Sequence, residues 1–327
     1  MSIAARFIQF FFLALCFVFG MNTGAYASDY PDRSVRLVVP YPPGASTDLA
    51  ARLIAEHVSK SLGQAVVVEN RPGASGSIGT QYVARQPADG YVFMLGTDPT
   101  HGTNTYLIPD QNFDPIEDFS PLGLLALNPI LLTLNSEVPA DTIEEYLELV
   151  KADKLSGAYG SSGLGSPHHL AGELLKEYSD APLIHVPYRG GGPSVNDLLN
   201  NQIPAAFASV ITVLPHIQSG KLKAIGVTDA DRYLDLPDVP AIGEVFEGFD
   251  VPSWLAFFAP KGLPGEVEQT LVGAVQAAIN DAEIKEKLIA SGLVVPEDTS
   301  PQALAELQRE DLEIKKQIIL DSGIAAE

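Results

Sequence analysis

The sequence predicts an α/β protein made of two lobes, each a sheet flanked by helices. Short apolar runs rich in β-branched residues alternate with longer runs of helical periodicity, which is typical of parallel α/β units. The strand-like runs end in loops rich in glycine and other small residues. The chain has 327 residues, more than one hydrophobic core usually serves, so we expect two domains.

The first 27 residues have the pattern of a secretory signal peptide. Arg6 precedes the almost continuously apolar run 7–19, and Ala25-Tyr26-Ala27 forms a small-residue cleavage site before Ser28. The apolar run is short for a membrane span, and a retained N-terminal anchor is the alternative. We expect cleavage after Ala27 and a periplasmic mature protein. Cleavage would also remove Cys16, the only cysteine of the chain, so we expect no disulfide.

The net charge of −21 excludes one class of partner. A nucleic-acid-binding protein needs a basic surface that displaces counterions, and this chain has no basic stripe. The acidic balance otherwise indicates only a solubilising surface.

Three passages from a strand through a small-residue loop to a helix occupy the first part of the mature chain. The first helix follows Asp48, with Leu49, Leu53, Ile54, Val58 and Leu62 on one face, and ends at Gly63. Ligands of open α/β sheets bind at the carboxyl ends of the strands, where these loops lie. The strands are expected at 35–39, 65–69 and 91–95, and their loops at 40–48, 70–76 and 96–102.

The rest of the chain repeats the alternation less regularly. Residues 103–127 are predicted to form an irregular crossing segment, followed by a strand at 129–134 and a helix at 139–150. A short strand at 156–159 leads into the glycine-serine loop 160–169 and another helix. Further strands are expected at 183–187, 205–207, 222–227 and 254–258, and the chain is mostly helical from there to its end.

Common enzyme motifs are absent from the sequence. The chain has no G-x-S-x-G nucleophile elbow, no G-x-G-x-x-G and no phosphate-binding P-loop pattern. The adjacent His168 and His169 point to different faces of a helix and lack metal-ligand spacing, so we interpret them as packing or capping groups. We expect no catalytic residue, no metal and no cofactor. A secreted hydrolase would need a nucleophile and base that the sequence does not provide.

Anion recognition by loops is the remaining functional signal. A helix start offers unpaired backbone N–H groups and a positive dipole end, and loop 40–48 adds small residues and two hydroxyls. An ordinary N-cap by Ser46 or Thr47, with Asp48 in the first turn, explains the same residues. Loop 160–169 is a second copy of this arrangement, and two such loops facing each other would hold a carboxylate. Arg189 is either a solvated surface residue or a bidentate carboxylate ligand.

At these residues the sequence resembles the extracytoplasmic solute receptors of tripartite tricarboxylate transporters, the Bug or TctC-like family. The matching segments occur in the family's order and cover essentially the whole mature chain. They are residues 39–48, 69–74, 163–170, 186–190, 220–224, 236–240 and 258–264.

The resemblance implies a Venus-flytrap fold of the periplasmic-binding-protein type, with residues 28–128 plus 251–327 in lobe 1 and 129–250 in lobe 2. It implies a monomeric receptor that binds a small organic carboxylate and delivers it to the membrane permease subunits. A sensor that signals to a membrane kinase is the alternative. The expected ligand-binding residues are Tyr41, Pro42, Gly44, Ala45, Ser46, Thr47, Asp48, Thr97, Ser161, Ser162, Gly163, Gly165, His169, Arg189 and Ser209.

Two departures from the family pattern concern the ligand. The first loop has Ala45 where the family commonly has a second glycine, and a methyl group there would narrow the approach or fix the loop. Pro204 and Ala208-Ser209 stand where the family often has acidic and amide residues. These changes predict a smaller or less polar far end of the pocket.

Overall fold

The computed structural model describes residues 30–44, 46–108 and 111–324. The predicted signal peptide and Ala45 lie outside these ranges. The described residues form two five-stranded sheets, each with apolar clusters and helices on both faces. The prediction of two sheets flanked by helices is therefore confirmed.

The first sheet combines three parallel strands with two antiparallel ones. β1 is parallel to both β2 and β3, so the loops that follow these three strands lie at one edge of the sheet. The order is β2-β1-β3-β10-β4, with β1 at Val35–Val39, β2 at Val66–Asn70, β3 at Val92–Thr97, β4 at Phe119–Leu127 and β10 at Trp254–Pro260.

Strand β4 corrects the prediction of an irregular segment at 103–127. Nine residues of that segment form β4, and seven of them pair antiparallel with β10 along its whole length. The strand contains no β-branched residue, and it includes Pro121 and Gly123, which are uncommon in strand interiors. The strand is also covered on both faces by helices, which removes the alternation of apolar and polar residues.

The second sheet also mixes parallel and antiparallel strands. β6 is parallel to β7 and β8, while β5 is antiparallel to both β8 and β9. The order is β7-β6-β8-β5-β9, with β5 at Ile130–Asn135, β6 at Ala158–Ser161, β7 at Ile184–Pro187, β8 at Ala205–Ser209 and β9 at Leu222–Val227.

Ten α-helices lie within the described ranges. Two of them, α6 and α7, were not expected; α6 begins in a glycine-glycine-proline run, and α7 contains Pro215. The helices are α1 at Ser46–Leu62, α2 at Ser77–Ala84, α3 at Asn104–Leu107, α4 at Ile143–Lys151, α5 at Pro167–Ser179, α6 at Gly191–Leu199, α7 at Val210–Gln218, α8 at Gly265–Ile279, α9 at Ala282–Ala290 and α10 at Pro301–Ser322.

The chain crosses between the sheets twice, at residues 128–129 and again between β9 and β10. The crossings touch where the backbone N–H of Asn128 donates to the carbonyl of Ser253 at 2.8 Å. The last turns of α10 place Ile318 and Ile319 in an apolar cluster of the second sheet. The exact lobe boundaries stay a prediction.

No helix in the described part of the chain is both long and apolar enough to cross a membrane.

Candidate ligand-binding cleft

The carboxyl-end edges of the two sheets face each other across a cleft. The hydroxyl of Ser75, in the loop after β2, donates to the carbonyl of Leu164, in the loop after β6, at 3.5 Å. Leu107 packs against Gly165 so closely that a Cβ at Gly165 would lie 2.5 Å from the leucine Cδ1. The loop after β6 therefore lies against the loop after β2 and α3, and loop 40–48 lies at the same sheet edge as the loop after β2.

The loop after β1 begins with a tyrosine that is fixed to the neighbouring strand. The hydroxyls of Tyr41 and Thr97, at the ends of adjacent strands, lie 2.8 Å apart. Burial raises the pKa of Tyr41, so its hydroxyl remains a hydrogen-bond donor at neutral pH. Pro42 and Gly44 are exposed beyond it. This end of the loop offers hydroxyl groups rather than charge.

Asp48 holds the loop to the sheet. Its carboxylate accepts hydrogen bonds from the Gly44 N–H at 2.9 Å, Asn70 Nδ2 at 2.9 Å and Arg52 Nε at 3.0 Å. Although burial opposes ionisation, the hydrogen bonds from Arg52, Gly44 and Asn70 lower the pKa of this carboxyl group. Asp48 is thus an anionic anchor for the loop, and its direct contact with a ligand stays a prediction.

Thr47 is the unusual residue of the first turn of α1. Its side chain is buried, and Oγ1 has no hydrogen-bond partner among the described residues. A buried hydroxyl without a partner is costly, so such a group indicates a missing acceptor. Ser46 is half-buried at the start of the same helix. Both lie where the helix has unpaired N–H groups.

The loop after β6 is folded by its own hydroxyls. Ser161 Oγ accepts from the Gly163 N–H at 3.0 Å, and Ser166 Oγ donates to the Gly163 carbonyl at 2.7 Å. Gly163 has a φ of 132°, which other residues rarely adopt. Ser166 also caps α5 by accepting from the N–H of His169 at 3.3 Å. The capping explanation therefore applies to Ser166 but does not account for Ser162.

Two stacked imidazoles support this loop from beneath. The rings of His169 and His185 lie 3.8 Å apart and nearly parallel. His169 Nδ1 accepts from the N–H of Gly165 at 3.1 Å, and His185 Nε2 lies 2.6 Å from Ser161 Oγ. Burial lowers the pKa of both imidazoles to about 4, so both are neutral at neutral pH. His169 thus supports the loop through its ring.

A row of polar side chains leads from this loop to the crossing segments. Ser162 Oγ lies 2.8 Å from His168 Nδ1, and His168 Nε2 lies 3.2 Å from Ser209 Oγ, at the end of β8. Asn128 Nδ2, in the first crossing, donates to Ser209 Oγ at 3.0 Å. Burial lowers the pKa of His168 to about 4. Ser162 and Ser209, 47 positions apart in the sequence, are thereby linked through one imidazole.

The row continues into the first lobe through charged groups. Asn128 Nδ2 lies 3.5 Å from Ser253 Oγ, which donates to Asp98 Oδ1 at 3.0 Å. Lys315 Nζ, from α10, donates to Asp98 at 2.7 Å and to Asp311 at 2.8 Å. Although burial opposes its charge, the carboxylates of Asp311 and Asp98 raise the pKa of Lys315. This cluster fixes the C-terminal helix to the second crossing.

The structure also gives the positions of three further residues that the sequence analysis connected with the ligand. Arg189 is exposed after β7, and no described residue pairs with its guanidinium. Pro204 precedes β8, at the end opposite to Ser209 and about 16 Å from it, at 3.3 Å per residue. Ala208 is buried in the apolar cluster beneath α6 and α7. The expected effect of Pro204 and Ala208 on the far end of the pocket stays a prediction, and Ser209 lies at the carboxyl end of β8.

Sequence reasoning missed the residues that link the two sides of the cleft. His168 was visible as half of a histidine pair, but its partner Ser209 is distant in sequence. Asn128, Asp98 and Lys315 gave no sequence signal because each lies in an ordinary local pattern. In the described ranges no cluster of histidine, cysteine and acidic side chains has the geometry of a metal site. Direct ligand contact by the predicted residues stays a prediction.

Comparisons with known proteins agree with this architecture. The family model described as "Tripartite tricarboxylate transporter family receptor" matches residues 50–324. The solved structure of the periplasmic binding protein BugD is 34% identical, with a TM-score of 0.83, and the match covers 91% of this chain and 100% of that one.

Two similar structures contain ligands. Rpa4515 of R. palustris with adipate is 32% identical with a TM-score of 0.84, over 91% of this chain and 100% of that one. MatC of Rhodopseudomonas palustris with bound malate is 31% identical with a TM-score of 0.80, over 89% of this chain and 100% of that one. With its two sheets, its facing loops and a family match over most of its length, the chain belongs to the tripartite tricarboxylate transporter receptor family.

Proposed function

We propose that this protein is a periplasmic receptor that binds a small organic carboxylate in the cleft between its sheets. The observation that carries the proposal is the buried Thr47 hydroxyl, which lacks a partner at the start of a 17-residue helix. A ligand carboxylate would accept from this hydroxyl and from the free N–H groups of the first turn. Similar structures with adipate and with malate support the same ligand class.

The two sides of the cleft would contribute differently to binding. The first lobe offers Tyr41, Thr97, Ser46 and Thr47 around a helix start that Asp48 keeps in place. The second lobe offers Ser162 and Ser209 as hydroxyls at its strand edge. The binding free energy would come from preorganised hydrogen bonds and from exclusion of water when the lobes close.

The receptor performs no chemistry in this proposal. After export by its signal peptide and cleavage behind Ala27, the monomer would present the loaded, closed form to the permease subunits of a tripartite tricarboxylate transporter. A role as a sensor for a membrane kinase uses the same closure, and permease genes beside this gene would favour transport.

A thermal-shift screen of the mature protein against a carboxylate library tests the proposal. A carboxylate at about 100 times its dissociation constant should stabilise the protein by roughly 2.7 kcal/mol. A shift with neutral sugars and with no carboxylate would overturn the assigned ligand class.

Two matched threonine variants then test the site itself. Thr47→Val should weaken the selected carboxylate roughly tenfold or more, because a charge-assisted hydrogen bond is lost. Thr80→Val is the control, since Thr80 is also buried but already donates to the carbonyl of Gly76, just before its helix, at 3.0 Å. Equal affinities of both variants and the wild type would exclude Thr47 from the site.

A further inference from the structure

His168 connects two hydroxyls of the second-lobe strand edge. The residue is 7% exposed, and its two ring nitrogens lie 2.8 Å from Ser162 Oγ and 3.2 Å from Ser209 Oγ. Among the described residues Ser162 Oγ has no other hydrogen-bond partner, and Ser209 Oγ has one more, Asn128 Nδ2 at 3.0 Å. The imidazole hydrogen of His168 and the hydroxyl hydrogens of the two serines can therefore each be assigned to an acceptor.

A neutral imidazole carries one N–H and one bare nitrogen, and an amide nitrogen can only donate. Ser209 Oγ must accordingly accept from Asn128. When the hydrogen of His168 is on Nδ1, it points to Ser162, and Nε2 accepts the hydroxyl hydrogen of Ser209. Ser162 then keeps a free hydroxyl hydrogen, and Ser209 has none left.

The other tautomer reverses the assignment. With the hydrogen on Nε2, the ring donates to Ser209 Oγ, and Nδ1 accepts the hydroxyl hydrogen of Ser162. Ser209 then keeps the free hydrogen. In either tautomer, one of the two serines can donate to a ligand and the other cannot.

We propose that His168 is a specificity-determining residue whose tautomer selects whether Ser162 or Ser209 donates to the bound ligand. Ser162 lies in the loop that faces the first lobe, while Ser209 lies beside the first crossing segment. The cleft could then donate a hydrogen bond to a ligand oxygen at either of two positions. Carboxylates of different length would place their oxygens at these different positions. This inference rests on the proposed function, because it requires a ligand oxygen at this edge.

The neighbouring His169 provides an internal contrast. Its Nδ1 accepts from the backbone N–H of Gly165, a group that can only donate. The hydrogen of His169 is therefore fixed on Nε2, whatever occupies the cleft. A histidine with only a packing role should keep one tautomer, as His169 does. A histidine that selects the donor serine should change its tautomer when the ligand changes.

Nitrogen NMR of the mature, ¹⁵N-histidine-labelled protein tests the inference, because protonated and bare ring nitrogens have distinct shifts. The probes are malate, adipate and the carboxylate that gives the largest thermal shift in the library. We expect at least one probe to change the tautomer of His168, while His169 keeps its hydrogen on Nε2. The inference is overturned if His168 holds one tautomer in the free protein and with every bound probe.

The serine variants give a second, independent readout. When a probe fixes the hydrogen on Nδ1, Ser162→Ala should weaken that probe roughly tenfold, and Ser209→Ala should weaken it much less. With the hydrogen on Nε2, the order should reverse. Equal losses in the two variants would overturn the inference even if the tautomer changes.

The outcomes separate this inference from the proposed function. Failure of every carboxylate to bind overturns both. Tight carboxylate binding with an unresponsive His168 overturns the selector alone and leaves the receptor function standing.

Discussion

The two sides of the cleft are held in place by different chemistry. On the first-lobe side the groups are buried charges. Asp48 accepts the hydrogen bonds that hold its loop, and Lys315 forms ion pairs with Asp98 and Asp311. On the second-lobe side the corresponding groups are neutral imidazoles, with His169 beneath the loop and His168 along the strand edge. The two systems meet where Asn128 and Ser253 cross between the sheets.

The difference suggests a division of roles. A buried ion pair has a fixed charge arrangement, and loss of one partner leaves an unpaired charge in the interior. A neutral imidazole can move its hydrogen from one nitrogen to the other without a change in net charge. We therefore expect the first-lobe side to be the rigid reference and the second-lobe side to adapt to the ligand.

The largest expected effect comes from breaking the charged system. Lys315→Met leaves the carboxylates of Asp98 and Asp311 buried without their cation, and we expect a loss of about 3–5 kcal/mol in the free energy of unfolding. Urea unfolding of the mature protein measures it.

Lys316→Met is the matched control for this substitution. That lysine is the next residue of the same helix, half-exposed and 3.7 Å from Glu313, so its loss should cost less than about 0.5 kcal/mol. Similar unfolding curves for the two variants would mean that the buried cluster is not ionised.

The neutral imidazoles of the second-lobe side should make the free energy of unfolding depend on pH. The pKa of His169 is about 4 in the folded protein against 6.5 unfolded, so the unfolded state binds more protons below pH 6.5. The free energy of unfolding should therefore fall by up to about 3 kcal/mol because of His169 as the pH falls from 6.5 to 4.

The charged anchor of the first loop should respond only at lower pH. The fold lowers the pKa of the Asp48 carboxyl group, so the hydrogen bonds that it accepts should weaken only below its unfolded value of 3.8.

His169→Phe isolates this contribution. Phenylalanine can still stack on His185, but it leaves the Gly165 N–H without an acceptor, so the variant should be about 1 kcal/mol less stable at pH 8. Because phenylalanine does not titrate, the difference should narrow and then reverse between pH 6.5 and 4. A difference that stays constant over this range would mean that His169 is not held neutral by the fold.

A smaller effect is expected from the anchor of the first loop. Asp48→Ala removes the acceptor for Gly44, Arg52 and Asn70 and should cost about 2 kcal/mol, since Arg52 remains solvated. Glu56→Ala, in the same helix, removes only an exposed pair with Lys60 and should leave the free energy of unfolding nearly unchanged. Thermal unfolding of both variants at pH 7 checks the difference, and equal midpoints would contradict the anchoring role.

Much of the site could be predicted because its parts are local. The strand, small-residue loop and helix around Ser46 follow one another in sequence, and the loop at 161–166 has the same local signals. The pairing of Tyr41 with Thr97 also follows from two adjacent parallel strands that end at one edge. The hydrogen bonds that hold these loops were not predictable, because a cap such as Ser166 or a first-turn residue such as Asp48 does not show in sequence which further loop groups it binds.

The sequence by itself determined most of the order of strands, loops and helices, apart from β4, α6 and α7, because periodicity and turn chemistry act between near neighbours. Only the tertiary structure decided which distant residues share the interior. Strand β4 exists because β10 pairs with it from more than a hundred residues away, and Lys315 is buried because the fold places Asp98 beside it, 217 positions earlier. A buried charge or a bridging imidazole acquires its role from partners that the topology supplies, and no local pattern encodes those partners.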